Sequence, residues 1–159
     1  MPKIRAKKLI VLIATTWLSC CAATVFAQQR LIEQICDDCV VEQYAACGGF
    51  LEGATFDRSG QLWVVDLLSG NVMNVDDSGD CEVAANTGGA PNGAKFHRDG
   101  RLYIADKNLG IVALDVDTGE IERIVNSYKT ELLRGVNDLV FDAAGGLYFT
   151  EPYGSSATN

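Results

Sequence analysis

Helical periodicity, long apolar runs, positive charge and histidine are all scarce in this sequence of 159 residues. No segment repeats its apolar residues at a sustained helical spacing, which excludes an all-α domain and a βαβ architecture. The apolar stretch Leu9 to Leu18 has ten residues, against the roughly 20 that a spanning helix needs. Lys and Arg number 13 against 21 Asp and Glu, which excludes nucleic acid and anionic membrane surfaces as natural partners. The single histidine, His97, stands in a turn position matched by Asp57 and Asp142 and reads as a solvated loop residue outside any catalytic role. The spacing Cys36-Asp37-Asp38-Cys39 has no second pair like it, so a structural zinc site is not supported, and the absence of a βαβ unit argues against a thioredoxin-type motif.

What is present begins with a leader. Lys3, Arg5, Lys7 and Lys8 form a basic start, Leu9 to Leu18 an apolar middle, and Val25-Phe26-Ala27 a cleavage site. Residues 1–27 therefore read as a secretory signal peptide, and the mature chain as secreted or periplasmic. Four of the 13 basic residues and none of the 21 acidic ones leave with it, so nine face 21 and the formal charge becomes −12. Such acidity suits cations, although most of it serves simply to keep a surface solvated. Cys36, Cys39, Cys47 and Cys81 remain, an even set for which disulfides are the expectation in an oxidising compartment, with the pairing left open. Residues 28–49 read as a cysteine-containing leader with one strand around Cys39 to Gln43.

From Phe50 onward the pattern is β. Runs such as Gln61 to Val65, Asn71 to Val75, Leu102 to Ala105 and Ile111 to Asp115 are separated by Gly, Asp, Asn and Ser. Only Ser127 to Arg134 departs from this, as a helical turn or an inserted loop. Phe56, Gly60, Leu62 and Asp66 recur as Phe96, Gly100, Leu102 and Asp106 at an offset of 40, and again as Phe141, Gly145, Leu147 and Glu151 at an offset of 45. A β repeat of this length, with four short strands per unit, is the mark of a propeller blade. The expected fold is all-β, with residues 50–159 forming about two and a half blades of a β-propeller. Because propellers close with four to eight blades, the chain is expected to be a fragment, completed by the remainder of the propeller.

The same alignment places Glu52, Asn92 and Asn137 at one equivalent position, just before the first strand of each unit. In a propeller that strand lines the central channel, so the three should converge at its mouth. Carboxylate and amide oxygens suit a hard divalent cation, and such a cation serves ester or lactone hydrolysis. The plainer reading is that Asn92-Gly93 is a turn and Asn137-Asp138 a hairpin cap; it is favoured for Asn92 but not for Glu52, a poor turn former. Trp63, Tyr103 and Tyr148 read as packing between blades, and Asp66, Asp106 and Glu151 as hairpin or blade-bridging hydrogen-bond acceptors.

Glu52-Gly53 before Phe56-Asp57, then Pro91-Asn92-Gly93, then Val136-Asn137-Asp138-Leu139-Val140-Phe141-Asp142 with Gly146-Leu147-Tyr148-Phe149-Thr150-Glu151-Pro152-Tyr153-Gly154, resembles the SMP-30/gluconolactonase/LRE-like family. The resemblance covers Phe50 to Gly154 and implies a six-bladed propeller that binds calcium or zinc in its channel and hydrolyses sugar lactones. It implies that Glu52 is the first metal ligand and that Asn137 contacts substrate, with Asp138 of the same motif a further candidate; Asn92, aligned with them by the repeat, is another substrate candidate. The family's other ligands, including the Asp that serves as general base, belong to later blades. Ala54 stands where Pro is usual, and Glu151 where Asp is usual. The substrate implied is a small lactone or ester; a non-catalytic secreted propeller used as a binding scaffold is the alternative, since fold does not fix function.

Overall fold

The computed structural model describes residues 40–152. The signal peptide, Cys36, Cys39 and the chain from Tyr153 onward lie outside the described residues. The chain divides into two units, 1–42 and 43–159. Val40, Val41 and Glu42 of the first unit are exposed and no strand forms from Val40 to Gln43, contrary to the expectation; an extended segment without a hydrogen-bonded neighbour does not persist as a strand.

The second unit is all-β. Strands β1 (Leu51–Phe56), β2 (Leu62–Asp66), β3 (Asn71–Val75) and β4 (Cys81–Asn86) form an antiparallel meander in the order β1-β2-β3-β4. Strands β5 (Pro91–Phe96), β6 (Leu102–Asp106), β7 (Gly110–Leu114) and β8 (Ile121–Val125) repeat it. The segment from Ser127 to Arg134 is an inserted hairpin of β9 (Ser127–Tyr128) and β10 (Glu131–Leu132), not a helical turn. Strands β11 (Leu139–Phe141) and β12 (Leu147–Phe149) begin a third blade. The turns between the first two strands of each blade hold Gly60, Gly100 and Gly145 at φ 89°, 95° and 93°, a region that side chains resist. No helix among the described residues is long and apolar enough to cross a membrane.

Blades pack face to face because alternate residues of each strand point to opposite sides. Trp63, Val65 and Val72 of the first blade bury against Ala94, Leu102, Ile104, Val112 and Leu114 of the second. The other face of the second blade, through Tyr103, Ala105, Ile111 and Ala113, meets Val136 and Leu139 of the third. With both faces covered, β6 and β7 are buried at every position. Trp63 and Tyr103 thus pack between blades as expected, whereas Tyr148 is 61% exposed, because no described element lies against its face. His97 is not the solvated residue its turn position implied. Its side chain is 18% exposed, its ring lies 5.6 Å from Tyr103 and 4.6 Å from Phe141, and its Nε2 is buried without a hydrogen-bond partner among the described residues. The third blade leans on the turn and covers it.

The outer face of the first blade, Val64, Met73 and Val75, is covered by Ala45 and Cys47. A disulfide joins Cys47 to Cys81, and the Tyr44 hydroxyl donates to the Asp76 carbonyl at 3.2 Å. Residues 43–49, read from sequence as leader, therefore belong with the propeller unit.

Two sets of repeated polar contacts hold the blades. The carboxylate ending the second strand ties down the approach to the first. Asp66 accepts from the Ser69 hydroxyl at 2.6 Å and from the N–H groups of Phe50 and Leu68 at 3.0 and 3.1 Å, bonds that hold its carboxyl below the usual range. Asp106 accepts from the Thr87 hydroxyl and from the N–H groups of Ala90, Asn108 and Leu109, and Glu151 accepts from the Arg134 N–H. Between blades, the Arg58 guanidinium donates to the Arg98 carbonyl, and Arg98 in turn donates to the Ala144 carbonyl at 3.4 Å.

Candidate functional site

The first strands of the blades begin irregularly, and this is where the aligned polar residues lie. In the β1 ladder the register shifts between Glu52 and Thr55. In the β5 ladder Pro91 faces Asp106 and Gly93 faces Ala105, so Asn92 is the extra residue of a bulge. In the third blade the Asn137 N–H donates to the Thr150 carbonyl at 2.9 Å while the Thr150 N–H donates to the Asp138 carbonyl at 2.9 Å, so two residues again oppose one. A bulge re-aims the side chain it carries and recurs beside functional sites. Glu52 and Asn92 therefore stand inside their strands, not before them, whereas Asn137 does precede β11. The turn reading of Asn92-Gly93 is overturned, since Asn92 is a strand residue only 8% exposed.

Glycine brings these strand ends together. A Cβ on Gly53, which has φ 58°, would run into the Asn92 carbonyl oxygen and the Ala94 nitrogen of the next blade. A Cβ on Gly93 would stand 2.6 Å from the Asp138 Cα and 2.9 Å from the Asn137 carbonyl oxygen. Without side chains the backbones close up, and the Gly93 N–H donates to the Asn137 carbonyl at 2.7 Å. The result is a polar cleft of about 240 Å³ whose lining includes Glu52, Asn92, Lys95, Asn137 and Asp138. All four residues expected from sequence to hold a metal or a substrate thus meet in one place.

The side chains of Glu52, Asn92, Lys95 and Asn137 make no hydrogen bond or ion pair with any described residue. Asp138 is partly engaged, its Oδ1 accepting from the Leu139 N–H at 2.8 Å. Several carboxylates at the hairpin turns are, by contrast, well bonded. Burial pushes the Asp57 carboxyl up, but bonds from Ser59, Gln61 and Trp63 outweigh it and hold it low. Polar groups left free in a half-buried cleft are poised for a ligand, because folding has not satisfied them. Oxygen donors from one carboxylate and two amides, beside a second carboxylate, fit a hard divalent cation in donor chemistry. Among the described residues no three His, Cys, Asp or Glu side chains converge as a metal cluster, so Glu52 would supply only part of a coordination shell.

Four lining residues were not among the sequence candidates: Gly53, Ala54, Gly93 and Lys95. The glycines were visible as the residues following Glu52 and Asn92 in register, but Asn-Gly reads locally as a turn. Lys95 falls in the same register as Thr55 and Val140, and only the lysine is charged.

The cleft and the blades can be compared with known proteins. No curated protein matches the chain. Among solved structures, a gluconolactonase from Xanthomonas campestris is 24% identical with a TM-score of 0.61, over 67% of this chain and 37% of that one. A structure described as a putative gluconolactonase is 20% identical with a TM-score of 0.61, over 68% of this chain and 38% of that one. Virginiamycin B lyase from Staphylococcus aureus is 19% identical with a TM-score of 0.59, over 72% of this chain and 40% of that one. At these identities the likeness is one of fold, and this chain spans about two fifths of the length of each structure. The family described as SMP-30/Gluconolactonase/LRE-like region matches residues 50–159. Two complete blades, the start of a third and that match establish that the chain belongs to the SMP-30/gluconolactonase/LRE-like family.

Proposed function

We propose that the chain is the N-terminal part of a secreted, divalent-metal-dependent hydrolase of sugar lactones or related esters, completed by further blades. The observation that carries this reading is the convergence of Glu52, Asn92 and Asn137, whose side chains have no partner among the described residues, in one polar cleft with Asp138. The Cys47–Cys81 disulfide supports an oxidising compartment, in keeping with the signal peptide read from sequence.

Glu52 would hold the cation, calcium or zinc. When bound, the cation supplies Lewis acidity toward a carbonyl and lowers the pKa of water. The Asn92 and Asn137 amides, each able to donate and accept, orient the hydroxyls of the substrate, and Asp138 accepts from one of them. In the net reaction the water oxygen bonds to the lactone carbonyl carbon, the ring C–O bond breaks, and the released oxygen takes a proton, giving a hydroxy acid. No residue between 40 and 152 is assigned as the base that accepts the proton of water.

Calcium or zinc should raise the melting temperature of the full-length protein, since a ligand at a hundred times its Kd stabilises the native state by about 2.7 kcal/mol. Glu52→Gln should remove more than half of that shift. A shift unchanged by the substitution would take Glu52 out of the site. An intact shift without hydrolysis of glucono-δ-lactone would favour a binding scaffold.

A further inference from the structure

We propose that Lys95 makes this cleft selective for substrates bearing an anionic substituent, a carboxylate or a phosphate, a step that rests on the lactonase reading above. Lys95 lies on β5, opposite Tyr103, and is half-buried in the wall of the cleft that contains Glu52, Asn92, Asn137 and Asp138. It has no hydrogen-bond or ion-pair partner among the described residues. Three arginines of the hairpin turns are engaged. Arg101 reaches Asp99 and Glu122, and Arg58 and Arg98 each reach a backbone carbonyl.

The repeat isolates the feature. Thr55 and Val140 occupy the equivalent positions of the flanking blades, so the positive charge belongs to the second blade alone and is not a requirement of the strand. The charge balance gives it a direction. Among the described lining residues, Glu52 and Asp138 together match a divalent cation, which leaves the Lys95 ammonium as the remaining charge. An ammonium offers three donors as a compact point charge, and in a recess partly shielded from water its attraction for an anion exceeds that at an open surface. A neutral sugar lactone leaves this charge unpaired, whereas one carrying a carboxylate or phosphate away from the reacting carbonyl pairs with it.

The test compares the full-length protein with Lys95→Met and Lys95→Arg in the presence of calcium. Hydrolysis of glucono-δ-lactone, glucaro-1,4-lactone and 6-phosphoglucono-δ-lactone gives the ratio of kcat/KM for each anionic lactone over the neutral one. That ratio should fall about tenfold in Lys95→Met, the scale of one charge-assisted hydrogen bond, and recover in Lys95→Arg. The larger fall distinguishes carboxylate from phosphate. Calorimetry of glucarate, 6-phosphogluconate and gluconate supplies a readout apart from activity. Loss of affinity for the first two relative to gluconate in Lys95→Met supports the proposal. Equal loss for all three ligands, no loss at all, or no binding of any anion by the unsubstituted protein overturns it. If none of the lactones is hydrolysed, the lactonase reading fails and the calorimetric comparison alone decides the role of Lys95.

Discussion

Glycine at 93 determines where three other side chains stand. Asn92 reaches the cleft only because the next residue has no Cβ to hold β5 away from Asn137 and Asp138. Gly93→Ala places a methyl against the Asp138 carboxylate and also against the Asp138 Cα and the Asn137 carbonyl oxygen, main-chain atoms that cannot swing away as a side chain can. The substitution should cost about 1–3 kcal/mol, the range for overpacking a tight contact, measured by urea unfolding. It should also raise the KM for glucono-δ-lactone, since Asn137, placed to orient the substrate, moves with the displaced backbone. Full stability and an unchanged KM in Gly93→Ala would show that the two strands approach for another reason. At this scale the sequence was half readable. An offset of 40 residues was enough to align Glu52 with Asn92, because duplication preserves position. The bulges were not readable, because a bulge is a relation between two strands and leaves no mark on either one alone.

Each hairpin between the first two strands of a blade is held by a carboxylate, and the second blade shows how this survives a substitution. Asp57 accepts from the Ser59 and Gln61 N–H groups at 2.8 and 3.0 Å, and Asp142 accepts from the Gly146 N–H at 2.7 Å. His97 stands at the matching place and its Nδ1 receives only the Asp99 N–H, at 3.4 Å. Asp99 takes over, accepting from the Arg101 N–H at 3.0 Å, the Tyr103 hydroxyl at 2.9 Å and the Arg101 Nε at 3.2 Å. Burial pushes its carboxyl up, but these bonds, with His97 beside it, bring it down to about 2 from 3.8. A lowered folded-state pKa contributes stability that is present above the unfolded value and lost as pH falls through the folded one. Urea midpoints measured downward from pH 5 should therefore decline mainly between about pH 4 and pH 2, and Asp99→Asn should be less stable at pH 5 and show a shallower decline. An identical slope in the variant would assign acid sensitivity to the other low carboxyls, such as Asp66 and Asp142. Strand order and hairpin glycines followed from the repeat. The burial of His97 did not, because it depends on Phe141 in the next blade, 44 residues away in the chain.

Across the whole molecule stability lies between blades as much as within them. Ile104 is fully buried in the interface of the first and second blades, and Ile104→Ala should cost about 2–5 kcal/mol in urea unfolding. Val140, exposed on the open face of the third blade, should change stability by no more than about 0.5 kcal/mol when replaced by alanine. Equal costs at the two positions would mean that the blades do not depend on their shared interface. The propeller itself was readable because its period repeats. The strap of residues 43–49 was not, since Ala45 and Cys47 follow no period and are ordered by a face they cover and a cysteine they bond. The arginine contacts between successive turns have one property that bears on how such a fold diversifies. Both arginines donate to main-chain carbonyls, of Arg98 and of Ala144, and every residue type supplies a carbonyl. The acceptor turn is therefore free to drift. The third blade has Ala143 in the arginine's register and still receives the contact from Arg98, so a newly duplicated blade needs no matched second mutation to be gripped by the one before it.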